Sequence, residues 1–355
     1  MQLLPDWAPN IHPMIVHFPV VLLMIAVLFD IIGLFSTKFD WIKKSALLLF
    51  FLGTIAAVIA FLTGRAASDG LNIPINAVNA VNDHADWAEV TLWFFSIYTI
   101  IRLLIGYFFK SLKKVIVIPV VLIGLLGIYF LYQTGDHGAK LVFGYGLGTG
   151  NIISEKDGSV KSEDKREQIS DSTFTVSKNG SWNLTFNPDI ESILSDKFKW
   201  VEGSLTELNP MYDESDGSLM FHLGKEVRRG AFIYDNSIKG VQVTAKINID
   251  DFSGEVELIH HFKDKNNYDF LGIKNGVISL VRKSNGEIEI FENDKFKSSG
   301  WLEIRVVSGG SHFRGYLNNK MIVHGHGSEP NPGSVGMKFS GKGSISIKMI
   351  KVESL

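Results

Sequence analysis

The sequence predicts a two-part chain, an all-α bundle of four transmembrane helices followed by an all-β, jelly-roll-like sandwich. Three observations predict it. Apolar residues crowd into four long runs within the first 135 of 355 residues. A polar, charged stretch (SEKDGSVKSEDKREQISDS) follows at 154–172. From Thr173 onward apolar and polar residues alternate in short segments. The expected domains are 1–150 for the bundle, 151–172 for a solvated linker and 173–355 for the sandwich.

The apolar runs fall at about 14–35, 45–64, 88–109 and 115–134. His17 and Asp30 interrupt the first and Arg102 the third. Runs of about 19–22 residues match a ~30 Å hydrocarbon core, and soluble helices rarely stay apolar all round for that length. Orientation is expected from the lysines. Lys38, Lys43 and Lys44 lie between the first two runs, and Lys110, Lys113 and Lys114 between the last two. The positive-inside rule puts both groups in the cytoplasm, with the N-terminus and everything after the fourth helix outside. The first residues lack a charged leader and a cleavage site, so the first helix reads as a span and not as a removable signal.

The strands show a period of two. Val241–Ile249, Glu255–Ile259, Gly276–Val281, Trp301–Val306 and Ser344–Ile350 alternate. Lys-Asn-Gly at 274–276, Ser-Asn-Gly at 284–286, Gly309-Gly310 and Leu-Asn-Asn at 317–319 punctuate them as turns. Many short strands at this spacing predict a sandwich or barrel.

Composition excludes several functions. A net charge of −2 leaves no polybasic footprint for nucleic acid. The absence of cysteine excludes disulfides, thiolate metal sites and c-type haem attachment.

The bundle carries a weak internal repeat. Thr63-Gly64 closes the second run and Thr134-Gly135 the fourth, where glycine suits a helix stop. His17 opens the first run and His84 precedes the third. Two helical hairpins related by a two-fold axis along the membrane normal would place His17 and His84 face to face. His12, His17, His84 and His137 then all lie at the outer end. Histidines at an interface commonly cap helices or bond carbonyls, but four on one side also suit ligation of iron, copper or zinc. The expectation is a bis-histidine haem b on His17 and His84, with His12 and His137 in support and Phe18, Trp87, Trp93 and Phe143 at the haem edge. Asp83, Asp86 or Asp136 would hold the second ring nitrogens. Copper or zinc on the same histidines is the alternative. Asp30 and Arg102 lie deep in parallel helices, where they either pair or snorkel to the surface.

His12-Pro-x-x-Val-His-Phe-Pro19, Asp30 and the closing segment His137-Gly-Ala-Lys-Leu-Val-Phe-Gly-Tyr-Gly-Leu-Gly148 resemble the DUF2231 family of bacterial four-helix membrane proteins over about residues 8–150. That resemblance implies a bacterial inner-membrane location and a cytochrome-type subunit with other membrane or periplasmic redox subunits as partners. Tyr268–Ile273, Trp301–Val306, Phe313–Lys320 and Pro332–Met337 resemble the concanavalin A-like sandwiches of the laminin-G and 3-keto-disaccharide-hydrolase type. That second resemblance implies a fold used for binding sugars or proteins.

In the sandwich, His260-His261 would point to opposite faces of a strand, whereas His324 and His326 share one. Two same-face histidines without a third ligand read as surface polar residues. Glu255, Glu257, Asp264 and Asp269 form no acid–base spacing, and no nucleophile elbow or phosphate loop occurs. Trp182, Trp200, Trp301 and Tyr268 read as core in preference to sugar platforms. Three functions follow: a haem b electron-transfer subunit with an outer accessory sandwich, a membrane-anchored glycan- or protein-binding module without a redox cofactor, and a glycan-processing enzyme. A subunit is expected ahead of a stand-alone enzyme. Membrane lipid is an expected partner in each.

Overall fold

The structure, a computed structural model, describes residues 10–35, 40–71, 73–109, 114–148, 173–297 and 299–355. The expected linker 151–172 lies outside the described residues, as do Lys38, Lys110 and Lys113 of the topology argument. The chain divides into two compact units, one of helices and one mainly of strands, which also holds the short helices Ile190–Asp196 and Leu205–Leu208.

The helical unit holds α1 (His12–Ile15), α2 (His17–Phe35), α3 (Asp40–Gly70), α4 (Val78–Phe108) and α5 (Lys114–Tyr145). Among the described residues, four spans of membrane-crossing length and apolarity result, with α1 and α2 forming the first. The break between α1 and α2 falls at Val16. Pro19 accounts for it, because its ring clashes with the carbonyl of Ile15 and it has no N–H to bond there. Along α2, Pro19, Leu23, Ala26, Val27 and Asp30 are buried. Phe18, Val21, Met24, Leu28 and Ile32 are exposed on the opposite stripe. In water such a stripe would be costly, and against lipid tails it is the expected surface. A core of Leu23, Ala26, Val27, Phe50, Phe95, Tyr98 and Leu131 fills the interior.

The helices run well past the apolar stretches. The Thr-Gly pairs do not stop them: α3 continues to Gly70 and α5 to Tyr145. The stop of α5 is Gly146, in the left-handed conformation at φ 67°. Its N–H bonds Val142 O at 3.0 Å while Leu147 N–H bonds Leu141 O at 3.0 Å, the paired bonds of a Schellman end.

Among the described residues, the second unit is built on fourteen strands, all antiparallel. In chain order they are β1 (Phe174–Val176), β2 (Trp182–Thr185), β3 (Lys199–Glu202), β4 (Met211–Asp213), β5 (Ser218–Ile238), β6 (Val241–Asn248) and β7 (Phe252–Asp264), then β8 (Asn267–Lys274), β9 (Val277–Ser284), β10 (Glu287–Lys295), β11 (Trp301–Gly309), β12 (His312–Leu317), β13 (Lys320–His326) and β14 (Gly333–Ser354). Hydrogen bonding runs β10-β9-β8-β7-β14-β6-β11-β12-β13. The first half of β14 pairs with β7 and its second half with β6, while its pairing with β5 spans the middle and shifts register at Gly341/Gly343. One long strand therefore belongs to both layers.

Between the layers, Val256, Leu258, Leu271, Ile273, Ile278 and Leu280 meet Val243, Ala245, Ile247, Leu302, Ile304 and Val306 in one core. The alternation of β6 accounts for its share, since Val241, Val243, Ala245 and Ile247 are each fully buried. The Asn-Gly pairs form the turns: Asn275 and Gly276 (φ 50° and 73°) and Asn285 and Gly286 (φ 53° and 87°) are both left-handed. That backbone matches the twist of a two-residue hairpin.

Candidate functional site

The four bundle histidines separate into two kinds. His17 is exposed on α2. His12, His84 and His137 are engaged between helices or along one. The ring of His12 lies against Gly64, where a Cβ would come within 2.9 Å of it. Its Nδ1 lies 3.2 Å from Thr63 Oγ1. Because that hydroxyl donates its own proton to Ala60 O (3.0 Å), it can only accept from His12 Nδ1–H. The ring of His84 lies against Gly138, where a Cβ would come within 3.0 Å. His84 Nδ1–H donates to Thr134 O at 3.1 Å, and His137 Nδ1–H to Gln133 O at 2.8 Å. His84 is within electrostatic range of both His12 and His137.

The residue equivalent to His84 is thus His12 and not His17: each packs on a glycine of the partner helix in its own hairpin, His12 on Gly64 one residue after Thr63 and His84 on Gly138 four residues after Thr134. Of the repeat's two glycines, Gly64 makes room for an imidazole and Gly135 faces open space, and neither ends its helix. All three engaged rings carry the proton on Nδ1 and leave Nε2 bare when neutral. A threonine or backbone oxygen holds each Nδ1, the role assigned above to Asp83, Asp86 or Asp136. Among the aromatics expected at a haem edge, Phe18, Trp93 and Phe143 are exposed. Trp87 faces inward, its ring 6.1 Å from that of His137.

Deeper in the bundle, Arg102 Nη2 donates to Asp30 Oδ1 at 2.7 Å. The guanidinium also lies 5.5 Å from the Phe50 ring centre and 5.9 Å from that of Tyr98. Thr54 and Thr99 join α3 to α4 at 2.8 Å, and Thr91 and Thr134 join α4 to α5 at 2.8 Å.

In the sandwich, among the described residues, two sets of three ligand-bearing side chains bring their ligating atoms within 4.8 Å of one another: His260, His261 and Asp269, and His312, His324 and His326. The first is a closed network. Arg282 grips both Asp269 oxygens at 2.8 Å and donates to Ser328 O at 2.9 Å. His261 Nε2–H donates to Lys239 O at 2.7 Å, so its Nδ1 accepts from His260 Nδ1–H, also at 2.7 Å. A bulge permits this: His261 is left-handed (φ 53°), which turns it onto the side of its neighbour instead of the opposite face. Burial holds His260 well below the ordinary histidine pKa, with His261 and Arg282 adding to it. Burial also lowers His261.

The second set sits on the β12–β13 hairpin. His312 pairs directly with His326, and Arg314 with His324. Ring centres lie 4.6 Å apart for His312 and His326, 4.8 Å for His324 and His326 and 5.8 Å for His312 and His324. Glu292 Oε2 accepts from the His324 backbone N–H at 2.6 Å and fixes the strand. His312 is the member of this set that parity along a single strand does not reveal.

On the far side of the first layer, Lys338 contacts Glu257 at 3.0 Å and Tyr268 donates to Glu257 at 3.1 Å. Burial raises the Glu257 carboxyl, opposed by Lys338, and pushes the Tyr268 hydroxyl to about 12. Trp182 is buried in the main core, with Trp200 packed against it. The Trp301 ring carries the Lys348 ammonium 4.1 Å from its centre. None of these aromatics is an open platform.

Residues 8–151 match the family described as "Predicted membrane protein (DUF2231)". No curated protein matches the chain. Among solved structures, the chain is similar to the carbohydrate binding module CBM66 from Bacillus subtilis at 15% identity, covering 44% of this chain and 96% of that one, with a TM-score of 0.37. It is similar to a Bacillus subtilis protein of unknown function with a galectin-like fold at 10% identity, covering 46% and 91%, TM-score 0.36. It is also similar to Bacillus licheniformis beta-glucanase at 9% identity, covering 50% and 100%, TM-score 0.37. The chain thus joins four long apolar helices, within a segment that matches this family at residues 8–151, to a β-sandwich.

Proposed function

We propose that this chain is a membrane-anchored binding protein, in which the bundle holds the bilayer and the sandwich binds a glycan outside the cytoplasm. The observation that carries the reading is how the polar groups of the bundle are engaged. Asp30 meets Arg102, Thr54 meets Thr99, Thr91 meets Thr134, and His12 and His84 meet groups on the partner helix. Such contacts knit helices together in a medium that offers no water. The sandwich supplies an independent core and the converging side chains. Its ligand class is tested with the tag-free chain in nanodiscs on a glycan array. The reading expects binding to a subset of glycans, unchanged when His12, His84 and His137 are replaced by alanine. Background signal on every glycan rejects that ligand class, and binding lost with the bundle histidines rejects the division of labour.

A second reading is favoured by the tautomers. His12, His84 and His137 each hold Nδ1–H on an oxygen and keep Nε2 available, the arrangement that orients imidazoles toward iron, copper or zinc. Under it, a haem b bound by His84 with His12 or His137 would make the bundle a cytochrome. A sharp reduced α-band, lost in His84→Ala and kept in His17→Ala, supports it. An α-band kept in His84→Ala rejects it.

A further inference from the structure

We propose that His312, His324 and His326 form a divalent transition-metal site on the β12–β13 hairpin, independent of the glycan reading. Three observations lead there. The ligating nitrogens lie within 4.8 Å of one another. The backbone register places all three rings on one face, His312 across from His326 and His324 two residues along. The hairpin is braced from behind, because Gly325 and Gly327 sit so close to Phe291 that a Cβ would come within 2.5 Å and 2.7 Å of it.

A tetrahedral ion with metal–nitrogen bonds of about 2.0–2.1 Å sets its ligand atoms roughly 3.4 Å apart. Closing from 4.8 Å or less needs about 1.4 Å or less, within reach of imidazole rotation about two side-chain torsions. Three imidazoles, with no carboxylate in the set among the described residues, select a borderline ion such as zinc over magnesium or calcium. Three protein ligands also leave a fourth position open, the pattern of sites that bind water or an exogenous ligand and not of closed structural ones. The neighbouring set does not compete. Asp269 gives both oxygens to Arg282, and His261 has a partner on each nitrogen.

The test uses tag-free full-length chain in detergent, stripped with a chelator and titrated with zinc, with elemental analysis after dialysis. The site predicts one zinc per chain. Each of His312→Ala, His324→Ala and His326→Gln should weaken it by at least about 10–100-fold, the effect of losing even a supporting partner of a metal ligand. His222→Ala, remote in sequence and bonded to Ser344, should leave it unchanged. His326 is exposed, so His326→Gln keeps the fold and isolates the ligand effect; circular dichroism of the strands verifies it. Failure to retain zinc overturns the proposal. So does affinity unchanged in the three hairpin variants, or affinity lost only when His12, His84 and His137 are replaced together.

Discussion

The two units use histidine in opposite ways. In the bundle, each engaged ring is tied by Nδ1 to a helix oxygen and seated on or beside a neighbouring helix. In the sandwich, one pair is locked into a buried hydrogen-bond chain and three rings converge from two strands. Helices separate residues by whole turns, so a histidine at a helix end finds a partner helix more readily than a second histidine. A hairpin brings residues of distant number face to face at strand spacing, so clustering there follows from register. Location at one end of a membrane is thus a weaker sign of a shared site than cross-strand pairing.

The comparison can be broken at several points. The largest effect is expected in the buried sandwich network. Asp269→Ala leaves the Arg282 guanidinium without its bidentate partner, and loss of about 3–5 kcal/mol is expected from denaturant titration. In the bundle, Asp30→Asn and Arg102→Gln should each destabilise by about 2.5–3.5 kcal/mol, the scale of an unpaired charge in a membrane helix. The double variant should lose less than the sum, because neither charge then remains unpaired. Additive losses in a thermal-stability cycle would show that the 2.7 Å contact contributes no coupling.

Acid should sharpen the contrast. His260 and His261 are held neutral in the fold, and the unfolded chain takes up their protons near pH 6.5. Below that value the unfolded state binds more protons. The stability these rings provide is complete above about pH 6.5 and declines as pH falls toward their folded values, at up to about 1.4 kcal/mol per pH unit per proton. Melting temperatures of the strand signal from pH 8 to 5 measure it, and His260→Gln should flatten the curve. The smallest effect is expected at Lys274 and Glu255, 3.1 Å apart but with side chains 59% and 30% exposed. Replacing either should change stability by less than about 1 kcal/mol, and added salt should erase the difference.

Hydropathy made the four spans legible, and alternation made β6, β9 and β11 legible, because both patterns report which side of an element meets the core. Helix lengths were not legible. Beyond Thr63 and Thr134 the sequence turns polar, yet helical hydrogen bonding persists, since it does not depend on an apolar environment. Gly64 was misread for a related reason: it serves packing against the His12 ring, as Gly138 does against His84, a tertiary fact with no local signal. The histidine triad was half legible. His324 and His326 share a face by parity alone, but counting back from the Asn318-Asn319 turn puts His312 opposite Gly325. A register shift at Gly315/Tyr316 moves it opposite His326, and nothing in the local sequence announces that bulge.

The central claim is that the bundle anchors and the sandwich binds. The reduced-minus-oxidised visible spectrum of the full-length chain, purified without a tag from haem-replete membranes, tests it most directly. The account predicts a featureless difference spectrum in the α-band region for the unmodified chain and for His84→Ala alike. A sharp α-band at stoichiometric intensity, present in the unmodified chain and lost in His84→Ala, would contradict it and place the function in the bundle.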